Sequence, residues 1–108
     1  MAGLDPEVEL VTDPHWPEPG SVRGDEQVRR WLEDYRETFS ERRAAVQQTV
    51  EAGDRVVMQF VDTVTGRESG VSVENRFSAL FTVRDGKIAR IEYFVDHEDA
   101  LVAIRRDA

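Results

Sequence analysis

The stretch from Arg55 to Val95 reads RVVMQFVDTVT, GRESG, VSVENRFSALFTV, RDGK, IARIEYFV, and its punctuation decides the fold. Three runs rich in β-branched and aromatic residues alternate apolar with polar positions, as half-buried strands do. Between the last two stands Arg84-Asp85-Gly86-Lys87, whose Asp-Gly pair suits a two-residue hairpin turn. Thr65 to Gly70 connects the first two. Upstream, Ala44 to Glu51 is also extended and ends in the turn sequence Ala52-Gly53-Asp54, so the four runs predict an antiparallel meander.

Working outward, Val8 to Thr12 reads as a short strand closed by Asp13-Pro14. Three prolines and two glycines between Pro14 and Gly24 predict a loop without regular structure, carrying His15 and Trp16. Gly24 or Asp25 then caps a helix whose buried stripe is Val28, Trp31, Leu32, Tyr35 and Phe39. His97 to Arg106 predicts a closing helix with Ala100, Leu101 and Ile104 on one face and Asp96 placed to cap it. The order strand, helix, four strands, helix predicts an α+β fold: a curved antiparallel sheet, a cone-like half barrel, with helices packed on its concave face.

A chain of 108 residues has room for one such unit, so residues 1–108 are read as a single domain. No apolar run is long enough to span a bilayer, and the N-terminus lacks the basic start and apolar stretch of a signal peptide. With no cysteine, disulfides, thiolate zinc sites and cysteine nucleophiles are excluded, and a cytoplasmic location is expected. A formal charge of −8 repels phosphate backbones and acidic headgroups, so neither nucleic acid nor membrane is expected as a partner. Lys87 is the only lysine and sits beside the turn glycine, which argues against Schiff-base chemistry. His15 and His97 have no ligand spacing between them, no phosphate loop is present, and neither metal nor cofactor is expected.

Along the strands, the informative residues are polar groups that interrupt an apolar face. Asp62 interrupts Val56, Met58, Phe60 and Val64, and Asn75 interrupts Val73, Phe77, Ala79, Phe81 and Val83. A hairpin pairing 64 with 73 sets 62 opposite 75. With the phenol of Tyr93, these groups could converge in a concavity lined by Met58, Phe60, Phe77 and Phe81, the composition of a small-molecule pocket. Trp31 and Tyr35 on the helix, and Trp16 on the loop, could extend that lining or belong to the core. Asp62 could equally be solvated at a strand end, and Asn75 and Tyr93 could serve local structure.

Val11-Thr12-Asp13-Pro14, the proline-rich loop to Arg23-Gly24, Gly53-Asp54-Arg55-Val56-Val57, and Phe81 to Ile88 leading into Glu92-Tyr93-Phe94-Val95-Asp96 and Ala100-Leu101 together resemble the SnoaL-like branch of the nuclear transport factor 2-like superfamily. The resemblance spans nearly the whole chain. It implies a domain that binds a small hydrophobic molecule and, if catalytic, a cofactor-free isomerase, cyclase or epoxide hydrolase that moves a proton with a pocket carboxylate. The alternative is a non-catalytic ligand-binding or dimerisation module. Asp13 stands where ketosteroid isomerases resemble this chain and keep their base, so it is the first catalytic candidate and Asp62 the second. Ala79 stands about where those enzymes hold a protonated aspartate, so their own reaction is not expected. Asp96 stands where the cyclases place an acid/base carboxylate and ranks lower. Asp13 also suits an Asx turn, and Asp96 a helix cap. The resemblance further implies a homodimer through the outer sheet face, with Arg76, Ser78, Leu80 and Thr82 on one strand and Ile88, Arg90, Glu92 and Phe94 on the next. It implies an N-terminal lid helix too, which the few residues before Val8, with Asp5-Pro6 among them, do not favour.

Overall fold

The computed structural model describes residues 3–16, 20–37 and 39–106. In chain order these form β1 (Leu4–Thr12), β2 (Gly20–Arg23), α1 (Asp25–Glu37), β3 (Phe39–Ala52), β4 (Arg55–Gly66), β5 (Ser72–Arg84), β6 (Lys87–Phe94) and α2 (His97–Arg106). All six strands join one curved sheet in the order β2-β1-β6-β5-β4-β3. The fold is the expected α+β one. Asp85 and Gly86 have φ of 52° and 77°, the pair of positive values that a two-residue hairpin turn requires. The β4–β5 register pairs Val64 with Val73 and Asp62 with Asn75, as the alternation predicts.

Three boundaries differ from the sequence reading, and the first is that β1 starts at Leu4, four residues before Val8. Part of the loop before Gly24 is β2, which pairs antiparallel with β1 from Thr12↔Gly20 to Glu9↔Arg23. The prolines end at Pro19, so Gly20 to Arg23 keep every backbone N–H for pairing, and Thr12 Oγ1 accepts the Gly20 N–H at 2.9 Å. Residues 17–19 of the predicted loop lie outside the described residues. Phe39 opens β3 instead of continuing the helical stripe, because the backbone there pairs with Gly66; its side chain, like that of Arg42, lies outside the description.

Two features of the sheet were not legible. β1 runs parallel to β6, which makes the sheet mixed. The helices also lie on opposite faces. α1 covers Val8, Leu10 and Ile91 with Val28, and Phe81 and Tyr93 pack against that cluster. α2 buries Ala100 and Ile104 on Val57 and Leu80, with Phe94 alongside. Leu80 pairs with Val57 and Glu92, and Ala79 with Met58 and Tyr93, so the two clusters occupy alternate faces. The surface expected to pair two copies is therefore occupied by α2. Ser78 and Leu80 are fully buried, and Ile88 packs on the α1 side after a register shift between Thr82 and Val83.

α2 is fixed at both ends. Asp96 Oδ1 accepts the Glu98 N–H at 3.0 Å, and Arg55 Nη1 donates to the carbonyls of Ala103 and Ile104 at 3.2 and 3.3 Å. At its first residue, His97 Nδ1 meets Ser78 Oγ at 2.7 Å, while His97 Nε2 is buried with no partner among the described residues. A buried polar group is costly mainly when its partner is removed. Ser78→Ala is expected to lower unfolding free energy by about 1–3 kcal/mol, and adding His97→Phe should recover most of that loss. Urea denaturation of the two variants checks it.

Candidate functional site

The candidate site lies on the α1 face and is built on aromatic spacing. On α1, Trp31 and Tyr35 are four residues apart, so their rings share one side of the helix and stack in parallel, 5.8 Å between centroids and 4° between planes. β6 presents Tyr93 beneath them, stacked on Trp31 at 5.7 Å and 19°. Trp16 also stacks on Tyr93, at 5.4 Å and 28°. The rings thus run Tyr35, Trp31, Tyr93, Trp16 as one continuous stack. Phe77 meets both Trp16 and Tyr93 edge-on, at 5.7 and 5.8 Å, and Phe60 stacks against Phe77 at 5.2 Å.

These rings enclose a cleft of about 50 Å³, lined by Trp16, Trp31, Tyr35, Phe77 and Tyr93 with Leu32 and Arg36. That volume holds a few waters, whereas an enclosed apolar cavity of about 150 Å³ takes a benzene. The nominated lining residues therefore mostly fill the space they surround. A ring-sized ligand requires one of them to move. Trp16 is the one on a connecting segment; the others belong to α1, β5 and β6.

Asp13 holds that segment in place. Its Oδ1 accepts the His15 N–H at 2.6 Å, and its Oδ2 accepts the Val95 N–H at 2.9 Å. Its own N–H donates to the Tyr93 carbonyl and its carbonyl accepts the Trp16 N–H, both at 3.0 Å. The carboxylate thus makes an Asx turn and ties the end of β1 to the end of β6. Asp96 is exposed and caps α2.

Asp62 is fully buried on the same sheet face as Phe60, two residues further along β4, and does not line the cleft. Asn75, opposite it, is exposed. Asn75 lies four positions along β5 from Ala79, the partner of Tyr93, a distance of roughly 13 Å at the rise of an extended strand. Asn75 and Tyr93 thus do not come together. Met58 is half-buried on this face, and Phe81 packs into the core under α1. Among the described residues, no group of three or more His, Asp or Glu side chains is placed to hold a metal.

Two cleft residues escaped the sequence reading. Leu32 was visible only as part of the apolar stripe, and nothing in that stripe singled out Arg36. The available signal was spacing: Leu32 and Arg36 are four apart and sit one position after Trp31 and Tyr35, so they flank the ring pair.

The model of the SnoaL-like domain family matches residues 1–91. TerC, co-crystallised with polyporic acid, is 28% identical, with a TM-score of 0.72 over 95% of this chain and 78% of TerC. A candidate SnoaL-like polyketide cyclase from Jannaschia sp. CCS1 is 24% identical, with a TM-score of 0.77 over 96% of this chain and 74% of that one. A protein of ketosteroid isomerase-like fold from Catenulispora acidiphila DSM 44928, in complex with trimethylamine, is 14% identical, with a TM-score of 0.74 over 92% of this chain and 74% of that one. The last two likenesses concern the fold alone. No curated protein matches the sequence, and no described helix is long and apolar enough to cross a membrane.

Asp13→Ala removes the acceptor for two backbone N–H groups. We expect a loss of about 1–3 kcal/mol of stability and faster hydrogen exchange at the Val95 amide, whereas Asp13→Asn, which keeps one acceptor oxygen, should retain part of both. Native-state exchange followed by NMR reads the two variants side by side.

Proposed function

We propose, from the premise that this chain belongs to the SnoaL-like domain family, that it binds a small, flat, hydrophobic molecule in the aromatic cleft between α1, β5 and β6. The observation that carries this reading is the continuous ring stack from Tyr35 to Trp16. A planar ligand inserted beside Tyr93 would find faces already parallel to its own, and Arg36, the one charged lining side chain among the described residues, favours a ligand bearing negative charge at its edge. TerC, the relative co-crystallised with polyporic acid, supports the same class of small molecule. In this reading the protein is a cytoplasmic homodimer that needs no cofactor.

A catalytic version of this reading rests on Asp62, a carboxylate fully buried on the cleft-bearing face and two residues from Phe60. Isomerisation, cyclisation or epoxide opening needs a carboxylate shielded from water to move a proton, and Asp62 has that shielding. Because it does not line the cleft, this version needs a ligand that extends from the ring stack past Phe77 and Phe60 to its carboxylate. Asp13 serves this role less well, because both of its carboxylate oxygens hold backbone N–H groups.

The test is ligand titration. A panel of planar aromatic compounds, polyporic acid included, should quench the tryptophan emission saturably. At a hundredfold excess over Kd, a bound compound should stabilise the fold by about 2.7 kcal/mol. Phe77→Trp fills the cleft and should abolish both responses; the same response in this variant, or none from any compound in wild type, would refute the cleft assignment. Asp62→Asn should leave binding within about a factor of two and eliminate any turnover, since the isosteric change leaves every ring contact in place. Turnover that survives the change would make the domain's chemistry independent of Asp62.

A further inference from the structure

We propose that the free edge of β3 is where a second copy of this chain pairs, antiparallel and about a two-fold axis, to join the two sheets into one. The proposal rests on the homodimer reading above and supplies its interface. The sheet ends in two edges of very different character. β2 has only four residues, and a short edge strand is one of the devices that protect an edge from pairing. β3 has 14 residues, none of them proline or lysine, and among the described residues no strand pairs with its outer side. The side chains from Arg43 to Ala52 are all exposed, with Val46 at 52% and Val50 at 37%. The outer face of the sheet is closed to a second copy where α2 lies on it, but this edge is not.

Charge selects both the occupant and its direction. The chain carries −8, so most of its surface repels another copy, but β3 is neutral, with Glu41 and Glu51 balancing Arg42 and Arg43. The two arginines stand near its start and Glu51 near its end. An antiparallel second copy brings the basic end of one strand beside the acidic end of the other, within the screening length, whereas a parallel copy would set like beside like. The strand contains a bulge between Val46 and Gln48 that shifts its alternation by one residue. Each face stays continuous across the new seam when Val46 meets Thr49 and Ala45 meets Val50 of the second copy. That register places small and β-branched side chains opposite one another, as stable cross-strand pairs require.

Sedimentation equilibrium at roughly 1–200 µM, the range in which an interface of this modest size is populated, should give a mass near twice 12.3 kDa. Val46→Lys, a substitution that guards an edge and faces Thr49 of the second copy, should weaken association at least about tenfold, and Arg43→Glu, which makes both ends of the strand acidic, should weaken it measurably, each leaving the far-UV spectrum unchanged. Adding Glu51→Arg to Arg43→Glu, which returns an opposite charge to the neighbouring strand end, should restore part of the affinity. A wild type that remains monomeric overturns both the homodimer and this interface. A dimer indifferent to Val46→Lys and Arg43→Glu keeps the homodimer and overturns the interface alone.

Discussion

The architecture depends on one short helix. α1 has 13 residues and a length of about 20 Å, with a single residue joining it to β2 on one side and to β3 on the other. β2 and β3 are the two outermost strands, separated by five strand spacings, which would span roughly 24 Å in a flat sheet. The helix must reach from one edge to the other, so the sheet curves toward it. Both ends of the helix are secured. Gly24, at φ 94°, donates its N–H to the Val8 carbonyl and accepts the Val28 N–H to start the first turn; Arg67 Nε donates to the Glu37 carbonyl at the last. A residue with a β-carbon would be strained at Gly24. That tether sets the ring of Trp31 against Tyr93 and so fixes the depth of the cleft.

The remaining constraint concerns the parallel pairing of β1 with β6. Strands paired this way cannot share a hairpin, so their register must be held by other contacts. Leu10 and Ile91, partners across the seam, supply the buried contact. Asp13 supplies the polar one, extending the ladder past the end of β1 by accepting the Val95 N–H. The residue most suggestive of catalysis in the sequence is thus the pin that joins two halves of the sheet. Asp62, in contrast, lies in the middle of a regular strand whose ladder is complete on both sides, so the strand itself does not require its carboxylate.

Much of the fold was legible because strand alternation and turn chemistry are local. Asp85-Gly86 marks its turn without outside help, and the alternation of β4 and β5 sets the partner of each residue once one pair is known. β2 was not legible, because proline density describes a neighbourhood and the pairing of Gly20 to Arg23 with β1 is a tertiary event. Ala100 and Ile104 showed which side of α2 is apolar, but not which side of the sheet receives it; that choice is made by Val57 and Leu80, far away in sequence. The cleft illustrates a different gap. Trp16, Trp31, Tyr35, Phe77 and Tyr93 do gather in one place, yet composition carries no information about volume, and the rings close most of the space among themselves.

That closure changes what binding would require. Each ring pair contributes about 0.5–1.5 kcal/mol beyond the area it buries, so a ligand that merely opened the stack would lose the contacts it broke. A flat ligand that took the place of Trp16 beside Tyr93 and Phe77 would instead return both kinds of contact, parallel on one side and edge-on on the other. The net cost then falls on the segment from Asp13 to Trp16, whose backbone is held by the Asp13 turn. In such a complex affinity would be governed as much by the stability of the turn at Asp13 as by the rings, because the Asp13 carboxylate and carbonyl hold the backbone that Trp16 must move with.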